Sequence, residues 1–424
     1  MLYELWCQVA RQHRDEHALW EDATGKHWTF GELHRIGETR PVYPGPFAYP
    51  SGHTAEFIFE VLTAWREQQV LCPLETGQSE PSIPVPPKAC IHLKSTSAST
   101  GQPRWVAFTA HQLMADVENI VLAMDLRPEW PNIGAISLAH SYGFSNLVLP
   151  LLLRGIPLIL AASPLPESLR TAAGHAAQIV LPGVPALWRA WHEANALPLN
   201  IRKAISAGAP LPLSLEQEVF RALGLKIHNF LGSSECGGIA YDATERPRAD
   251  ESCVGTAMSN VDVTIHENGC LTVKSRAVGE TYWPEPGPVI SNGCFQTADL
   301  GEIREGLIYL RGRASDLINV AGRKIAPESI ERTLLESPGV KECLVLGLPS
   351  QDADRAEWIL AIVSGESHLR SDSLRQFLLE RLPAWQVPRE WWFVDSIKTD
   401  NRGKISRAAW REKFLAARGA RNAP

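Results

Sequence analysis

The sequence lacks an apolar run long enough to cross a membrane. Its most apolar stretch, residues 147–162, is shorter than the roughly 20 residues that a membrane-spanning helix needs, and Pro150, Arg154 and Pro157 interrupt it. The sequence also lacks an excess of positive charge, because 41 Lys and Arg stand against 47 Asp and Glu and give a formal charge of −6. We therefore predict no membrane span and no nucleic-acid partner.

The eight cysteines show no pairing pattern, since no two of them form a CxxC motif. A disulfide framework or a zinc ribbon would have tighter spacing. The N-terminus has no basic segment followed by an apolar one, so no signal peptide is predicted. Free thiols and a cytoplasmic location are the expectations.

The composition is that of an ordinary globular protein, with 45% hydrophobic and 21% charged residues. The length of 424 residues favours one large domain plus a smaller one. Three predicted strands alternate with two predicted helices in the middle of the chain, at residues 179–181, 185–196, 201–206, 214–223 and 225–230. This alternation predicts an α/β large N-terminal domain, with mostly parallel sheets covered by helices.

The pattern changes after Arg313. Two helices and three strands are predicted there, at residues 328–336, 341–346, 358–363, 373–382 and 391–394. They predict a small α+β C-terminal domain of residues 314–424, which follows an N-terminal domain of residues 1–313.

Ligands of parallel sheets bind at the carboxyl ends of the strands, so the loops after Ser206 and Phe230 are candidate binding loops. The second of these loops contains Glu235 among small hydroxyl residues. One carboxylate there can hold Mg²⁺ while phosphates fill the other positions. The alternative is a solvated surface glutamate.

A hydroxyl-rich loop spans residues 96–104, with the sequence Thr-Ser-Ala-Ser-Thr-Gly-Gln-Pro-Arg. It can offer N–H and O–H donors to a polyphosphate, and Arg104 adds positive charge. It does not match the Walker pattern, which needs GK[ST] at the start of a helix. The alternative is an ordinary Ser/Thr surface loop.

Three later segments are ambiguous when each is taken alone. Asp299, in Thr-Ala-Asp-Leu-Gly, can accept both hydroxyls of a ribose or can be an ordinary turn aspartate. Residues 312–325 carry several charged residues and glycines. Lys404, in Asn-Arg-Gly-Lys-Ile, is by default a solvated lysine.

Taken together and in this order, the segments resemble those of the adenylate-forming superfamily, which includes acyl- and aryl-CoA synthetases, peptide-synthetase adenylation domains and firefly luciferase. Weaker similarity extends from residues 28–33 to residues 382–388, so the resemblance covers nearly the whole chain. It implies that the protein activates a carboxylic acid with ATP.

The resemblance implies a role for each segment. The phosphates of ATP are assigned to Thr96, Ser97, Ser99, Thr100, Gly101, Arg104 and Ser234. The adenine and the ribose are assigned to Gly208, Ala209, Pro210, Asp299 and Arg313. Catalysis is assigned to Lys404, to Glu235 as the magnesium ligand, and to His140.

Further roles concern the second half-reaction and the acid. The hinge is assigned to Ser315 and Asp316, and the loop that serves thioester formation to Gly322. The acid pocket is assigned to Tyr142, Phe144, Phe230, Gly237 and Gly238, with His140 as its gate. A histidine beside an apolar segment can equally be a structural residue. Aromatic walls favour a small aryl or arylacrylic acid over a long fatty chain.

The chain departs from the family pattern at several positions. The usual residues are Gly at Ala98, Lys at Arg104, Gly at Trp105, and Asp or Lys at Ser315. The stretch between Leu74 and the phosphate loop is much shorter than usual, which predicts a minimal N-terminal domain.

The reaction implied is formation of an acyl-adenylate with release of pyrophosphate, followed by formation of a thioester. ATP and Mg²⁺ are the implied cofactors, and the thiol is that of coenzyme A or of phosphopantetheine. One alternative is a stand-alone adenylation enzyme that loads only an acyl carrier protein. Another is a non-catalytic nucleotide- or acyl-binding partner with the same fold. A phosphotransferase is a third alternative, disfavoured because no Walker loop or kinase-type catalytic loop is present.

Overall fold

The computed structural model describes residues 1–42, 44–96, 104–349, 357–397 and 405–421, the last three of them without their side chains. The chain folds as two units. Unit 1 comprises residues 1–264, 272–297 and 303–309, and unit 2 comprises residues 265–271, 298–302 and 310–424.

The helices are α1 (Leu2–Gln12), α2 (Phe30–Thr39), α3 (Ala55–Arg66), α4 (Ala110–Met124), α5 (Ser141–Gly143), α6 (Leu149–Arg154), α7 (Pro166–Ala173), α8 (Pro185–Glu193), α9 (Leu213–Leu223), α10 (Pro327–Leu335), α11 (Ser371–Leu379) and α12 (Arg407–Arg421). A π-helical turn, Phe144–Val148, connects α5 to α6. In the described part of the chain, none of the helices is long and apolar enough to cross a membrane.

The strands of the first half are β1 (His17–Glu21), β2 (Lys26–Thr29), β3 (Phe47–Ala48), β4 (Val70–Leu71), β5 (Cys90–Ser95), β6 (Trp105–Thr109), β7 (Asn132–Gly134), β8 (Leu158–Leu160), β9 (Ile179–Gly183), β10 (Ile201–Ser206), β11 (Ile227–Ser233) and β12 (Gly237–Tyr241). Those of the second half are β13 (Cys253–Ala257), β14 (Val261–Ile265), β15 (Cys270–Ser275), β16 (Thr281–Trp283), β17 (Ile290–Ser291), β18 (Cys294–Arg304), β19 (Leu307–Arg313), β20 (Ile318–Val320), β21 (Arg323–Ile325), β22 (Val340–Pro349), β23 (Glu357–Gly365) and β24 (Glu390–Phe393).

The main sheet of unit 1 is parallel through its centre. Strands β11, β10, β9, β7, β8 and β1 are neighbours in that order and all pair in parallel. Helices α8 and α9 cover one face, where Trp188, Trp191 and Leu215 pack on Leu181 and Ile227. The predicted large α/β domain with a mostly parallel sheet is therefore confirmed.

A second sheet of unit 1 has the strand order β16-β6-β5-β4-β3. Its strands β5 and β6 form an antiparallel pair in which Ser95 lies opposite Trp105. The hydroxyl-rich loop connects these two strands, so their pairing fixes where that loop begins and ends.

The C-terminal part of unit 2 is a small α+β arrangement, as predicted. Strands β22, β23 and β24 form its sheet. Helices α10 and α11 bury Ile330, Leu334 and Leu374 in the same core as Val345 and Ala361 of the sheet. Unit 2 also includes two short segments from earlier in the chain, and the boundary at residue 313 stays a prediction.

One local expectation was wrong. Strand β11 was expected to end at Phe230, but it continues to Ser233, and the antiparallel strand β12 begins at Gly237. Asp299 lies inside the long strand β18, which excludes the alternative of an ordinary turn aspartate. In both places strand pairing extends through residues that locally favour a turn.

Four charged side chains are buried together beside the main sheet. Lys226 bonds Glu216 and lies 2.6 Å from an Asp242 carboxylate oxygen, while Arg248 Nε donates to the other Glu216 oxygen at 2.8 Å. Each residue is at most 6% exposed. Burial raises the pKa of Asp242, but hydrogen bonds from Lys226 and Thr244 outweigh it and hold the pKa below its usual value.

We predict that Lys226→Met lowers the free energy of unfolding by about 3–5 kcal/mol, because two carboxylates lose their shared cation inside the protein. Urea unfolding followed by tryptophan fluorescence measures this. The depressed pKa of Asp242 stabilises the fold above the unfolded pKa of about 3.9, and this contribution is lost as the pH falls further. The difference between wild type and variant therefore shrinks in acid.

The matched control is Lys274→Met, since Lys274 is an exposed lysine on β15. We expect a change within about 0.5 kcal/mol for it. Equal losses from both substitutions would contradict the assignment of stability to the buried cluster.

Candidate active site

The predicted adenine and magnesium loops lie at one edge of the main sheet. Strands β7, β9, β10 and β11 run in parallel, so their carboxyl ends meet at that edge. Gly208, Ala209 and Pro210 follow β10, and Ser234 and Glu235 follow β11. His140 follows β7 as the residue before α5.

The turn after β10 has a conformation that requires glycine. The φ of Gly208 is +85°, in the left-handed region, and the Ala207 N–H donates to Gly183 O at 3.1 Å. The Ser206 hydroxyl just before the turn is buried and has no hydrogen-bond partner among the residues described. A buried hydroxyl without a partner costs free energy.

Glu235 is held at the tip of the β11–β12 hairpin. Its backbone N–H donates to Ser233 Oγ at 3.3 Å, and its carbonyl accepts from the Gly279 N–H at 2.8 Å. The Tyr282 hydroxyl donates to its carboxylate oxygen Oε1 at 3.0 Å. The Tyr282 contact orients the side chain through Oε1, and Oε2 accepts no hydrogen bond from the part of the chain that the structure describes.

The two ends of the hydroxyl-rich loop lie beside this hairpin. The Thr96 N–H donates to Arg104 O at 2.8 Å, and the Arg104 N–H donates to Thr96 Oγ1 at 3.3 Å. The Ser234 hydroxyl donates to Ser95 O at 3.2 Å. The sequence-predicted residues Thr96, Arg104, Ser234 and Glu235 are therefore brought together.

The predicted phosphate ligands Ser97, Ser99, Thr100 and Gly101 lie in residues 97–103, outside the described part of the chain. Their assignment stays a prediction.

Arg104 and Glu235 are connected through Tyr282. The Arg104 guanidinium carbon lies 3.6 Å from the centroid of the Tyr282 ring, and the same tyrosine bonds Glu235. Burial and the nearby Glu235 carboxylate raise the pKa of Tyr282, so the hydroxyl stays a neutral donor. A planar guanidinium stacks on a ring better than an ammonium does, which explains how arginine serves at a position where lysine is usual.

A buried polar triad lies behind the hairpin. Lys94 Nζ lies 3.0 Å from both Asp116 Oδ2 and Ser145 Oγ, and the serine hydroxyl donates to the same carboxylate oxygen at 2.6 Å. A Cβ on Gly237 would meet Asp116 Oδ1 at 2.0 Å. The glycine is needed because α4 brings its aspartate against the hairpin.

The predicted acid pocket is brought together only in part. The Tyr142 ring lies 5.9 Å from that of Phe230, and its hydroxyl donates to Ile205 O at 3.3 Å. Phe144 is fully buried, and its ring lies 4.4 Å from that of His92.

Gly237 and Gly238, which were assigned to the acid pocket, leave no free space beside their backbone. A Cβ on Gly238 would meet Met258 Sδ at 2.3 Å, so Met258 fills that space, as Asp116 does at Gly237. The thioether of Met258 therefore takes a place in the wall beside Phe230.

His140 has an acidic partner that sequence reasoning missed. Its Nε2 lies 3.2 Å from Glu75 Oε1, and the same carboxylate oxygen accepts from the Ser137 hydroxyl at 2.6 Å. Glu75 belongs to the shortened stretch before the phosphate loop. The contact fixes the imidazole, and the role of His140 as a gate stays a prediction.

Unit 2 contains the predicted ribose residues and hinge. Arg313 Nε donates to Asp299 Oδ1 at 3.0 Å. The Ser315 hydroxyl donates to Asp316 Oδ1 at 3.1 Å, and Arg407 donates to Asp316 Oδ2 at 2.9 Å.

Of the other two predicted residues beyond the hinge, the structure describes Gly322 and does not describe Lys404. Gly322 has a φ of +81°, and its N–H donates to Asn319 Oδ1 at 2.9 Å. Lys404 lies in residues 398–404, outside the described residues, so its role stays a prediction.

Arg407, three residues after Lys404, is a further residue that sequence reasoning missed. It makes a two-point contact with Glu331 at 2.8 and 2.9 Å and lies 3.0 Å from Glu328. Burial raises the pKa of Glu331 to about 7, against the opposing charge of Arg407. We regard the carboxylate as ionised in the native state, because two short bonds to a guanidinium require acceptor oxygens.

The chain belongs to the AMP-binding enzyme family. The family model "AMP-binding enzyme" matches residues 52–288, and "AMP-binding enzyme C-terminal domain" matches residues 329–404. The resemblance stated from the sequence is thereby confirmed, and the protein is a member of the adenylate-forming acyl- and aryl-CoA ligases.

Two similar proteins are named as a CoA synthase and a CoA ligase. The chain is 26% identical to a feruloyl-CoA synthase of an Amycolatopsis species, over 80% of this chain and 73% of the relative. It is 25% identical to a long-chain-fatty-acid–CoA ligase of Mycobacterium tuberculosis, over 80% and 70%.

The fold matches that of solved structures. ATP-bound MatB of Rhodopseudomonas palustris aligns with a TM-score of 0.84 and 21% identity, over 98% of this chain and 99% of that chain. At this level of identity the comparison supports the fold.

We predict that Tyr282→Phe weakens binding of MgATP by roughly 3–10-fold, because Glu235 loses the donor that orients it while the ring stays under Arg104. Isothermal titration with ATP, with and without Mg²⁺, measures the change. The loss appears only with Mg²⁺.

Tyr49→Phe is the control, since the Tyr49 ring stacks on Phe47 outside this cluster. An equal loss for Tyr282→Phe in EDTA would show that Tyr282 acts through the loop and not through a metal ligand.

Proposed function

We propose that the protein activates a carboxylic acid with ATP to give an acyl-adenylate and pyrophosphate, and then transfers the acyl group to a thiol. One observation carries this proposal. The Glu235 hairpin, both ends of the hydroxyl-rich loop and the stacked Arg104 meet where the parallel strands β10 and β11 end.

The chemistry needs positive charge, because a carboxylate must attack a phosphate that is itself negative. Arg104 supplies fixed charge beside the loop, and its stacking on Tyr282 reduces the reorganisation needed when ATP binds. In the proposal Thr96, Ser97, Ser99, Thr100 and Gly101 bind the phosphates with it, and Lys404 aligns the substrate carboxylate with the α-phosphate.

The residues at the hairpin fit Mg²⁺. Mg²⁺ prefers a site with one or two carboxylates and phosphate oxygens, and Glu235 Oε2 is the hard oxygen donor available. When bound, the ion would neutralise charge on the phosphates. Ser234 remains bonded to the loop base and keeps the hairpin in place.

The nucleoside is assigned to residues that precede the predicted hinge. The turn Gly208–Pro210 after β10 offers backbone groups for adenine. Asp299 offers a carboxylate for the ribose hydroxyls, and Arg313 already bonds it and holds its orientation.

For the acid, we propose a small aryl or arylacrylic substrate. Tyr142 and Phe230 supply aromatic surface, and Met258 occupies the room that Gly238 leaves, a bulk that we expect to disfavour a long chain. The feruloyl-CoA synthase agrees with an arylacrylic acid. The fatty-acid ligase makes a long chain the competing class.

For the thiol, we propose coenzyme A, because the named relatives are CoA ligases. Residues 314–424 form the C-terminal domain of the proposal, with Ser315 and Asp316 at its hinge and Gly322 in the segment that serves thioester formation. A carrier-protein phosphopantetheine is the second acceptor to be tested.

The deciding experiment is acid-dependent release of pyrophosphate from MgATP, across benzoic, cinnamic, short-chain and long-chain acids. We expect release with the aryl or arylacrylic acids. Lys404→Ala lowers the rate by at least about 100-fold, because it removes charge at the reacting phosphate. Glu235→Gln raises the Mg²⁺ concentration needed for half-maximal rate.

Lys341→Ala is the matched control, as an exposed lysine on β22 of the same unit. It should leave the rate unchanged. If ATP binds but none of the acids releases pyrophosphate, the protein is a non-catalytic nucleotide-binding relative. Adding coenzyme A or a phosphopantetheinylated carrier protein to the active mixture then identifies the acceptor by which thioester forms.

A further inference from the structure

The first two helices bring three metal-binding side chains together, on a surface that the proposed reaction does not use. Cys7 lies on α1, and His34 and Glu38 lie on α2. One ligand atom from each residue lies within 4.8 Å of the other two. A thiol, an imidazole and a carboxylate at this spacing are a donor set for a transition metal.

This placement follows from the periodicity of the helices. Helix α1 buries Leu2, Trp6 and Ala10, and helix α2 buries Phe30, Leu33 and Gly37. On α1, Tyr3 and Cys7 come directly after the buried residues Leu2 and Trp6. On α2, His34 and Glu38 come directly after the buried residues Leu33 and Gly37. Each pair is spaced four residues apart, so its members lie on one face of their helix, at the border of the packed surface.

One ring nitrogen of His34 has no hydrogen-bond partner among the described residues. Its Nδ1 is buried and makes no hydrogen bond to any residue that the structure describes. A buried ring nitrogen of this kind costs free energy unless a proton donor, a proton acceptor or a metal ion satisfies it.

The carboxylate of Glu38 is already oriented. The Tyr3 hydroxyl donates to Glu38 Oε1 at 2.9 Å, and Arg66 NH1 donates to the Glu38 carbonyl at 2.6 Å. Metal-binding carboxylates are commonly held by such outer hydrogen bonds. The Tyr3 contact leaves the second oxygen, Oε2, for a ligand.

We propose that Cys7, His34 and Glu38 form a zinc site that fastens α1 to α2. Zinc accepts S, N and O donors together, whereas Mg²⁺ and Ca²⁺ prefer oxygen alone. In a tetrahedral zinc site the ligand atoms are about 3.5 Å apart, so these atoms need to move by about 1 Å. Water takes the fourth position, the thiol loses its proton on binding, and Tyr3 acts as a positioning residue.

The test is titration of the full chain with Co²⁺ as a spectroscopic substitute for zinc, without ATP so that the Glu235 site is not engaged. We expect a thiolate-to-cobalt charge-transfer band that saturates at one ion per chain and is displaced by Zn²⁺. Cys7→Ser removes the band. Cys294→Ser, the control at a second half-buried cysteine, keeps it.

Two milder variants separate binding from folding. Glu38→Gln, at an exposed position, lowers zinc affinity by about tenfold or more, and Tyr3→Phe lowers it by roughly tenfold while the cobalt band remains. Zinc raises the Tm of the wild type and not that of Cys7→Ser. An unchanged band in Cys7→Ser, or a wild type that gives neither a band nor a Tm shift, overturns the proposal.

Discussion

The hydrogen bond from Tyr282 to Glu235 is the contact on which the candidate active site depends. Tyr282 lies on β16 of the second sheet, while Glu235 lies on the hairpin that ends β11 of the main sheet. The bond between Ser234 and Ser95 makes a second connection between the same two sheets. The hydroxyl-rich loop joins two strands of the second sheet and Glu235 follows a strand of the main sheet, so these two contacts help to hold the ends of the loop beside the glutamate.

Contacts with the same hairpin and with Tyr282 also position the charged side chains around Glu235. Arg104 is held above Tyr282 on one side, and the Lys94–Asp116–Ser145 triad fills the space behind Gly237 on the other. The triad neutralises its own charge, whereas the Arg104 guanidinium lies beside the loop predicted to hold phosphates. The positive charge of Arg104 therefore lies beside the proposed phosphate-binding loop, where a polyphosphate would need it.

Much of the fold was predictable because it is local. Strand β10 has the bounds expected from its apolar run, and helices α8 and α9 begin within one residue of the expected positions. The edge that carries Gly208 and Glu235 follows from strand direction alone. The family was recognised from the order of short segments, each of which is ambiguous when taken alone.

The rest depended on contacts between residues far apart in the chain. Tyr282 carries no spacing signal that connects it to Glu235 or Arg104, and Glu75 reaches His140 from a stretch that looks like a plain loop. The local sequence does not show why residues 237 and 238 are glycines. Glycine is needed at both positions for a steric reason, because Asp116 and Met258 approach the backbone too closely for a Cβ.

Arg407 connects two parts of unit 2, one of which is the predicted hinge. The guanidinium bonds Asp316 at the predicted hinge and Glu331 on α10, and it lies three residues beyond Lys404. Arg407 is the first residue of α12, so this helix is bonded through it to Asp316 at the predicted hinge. Ser315, where the family usually has a charged residue, donates to the other oxygen of Asp316. The Asp316 carboxylate is thus shared between a serine and an arginine, and the position where the family usually has a charged residue is occupied here by a hydroxyl that bonds the neighbouring side chain.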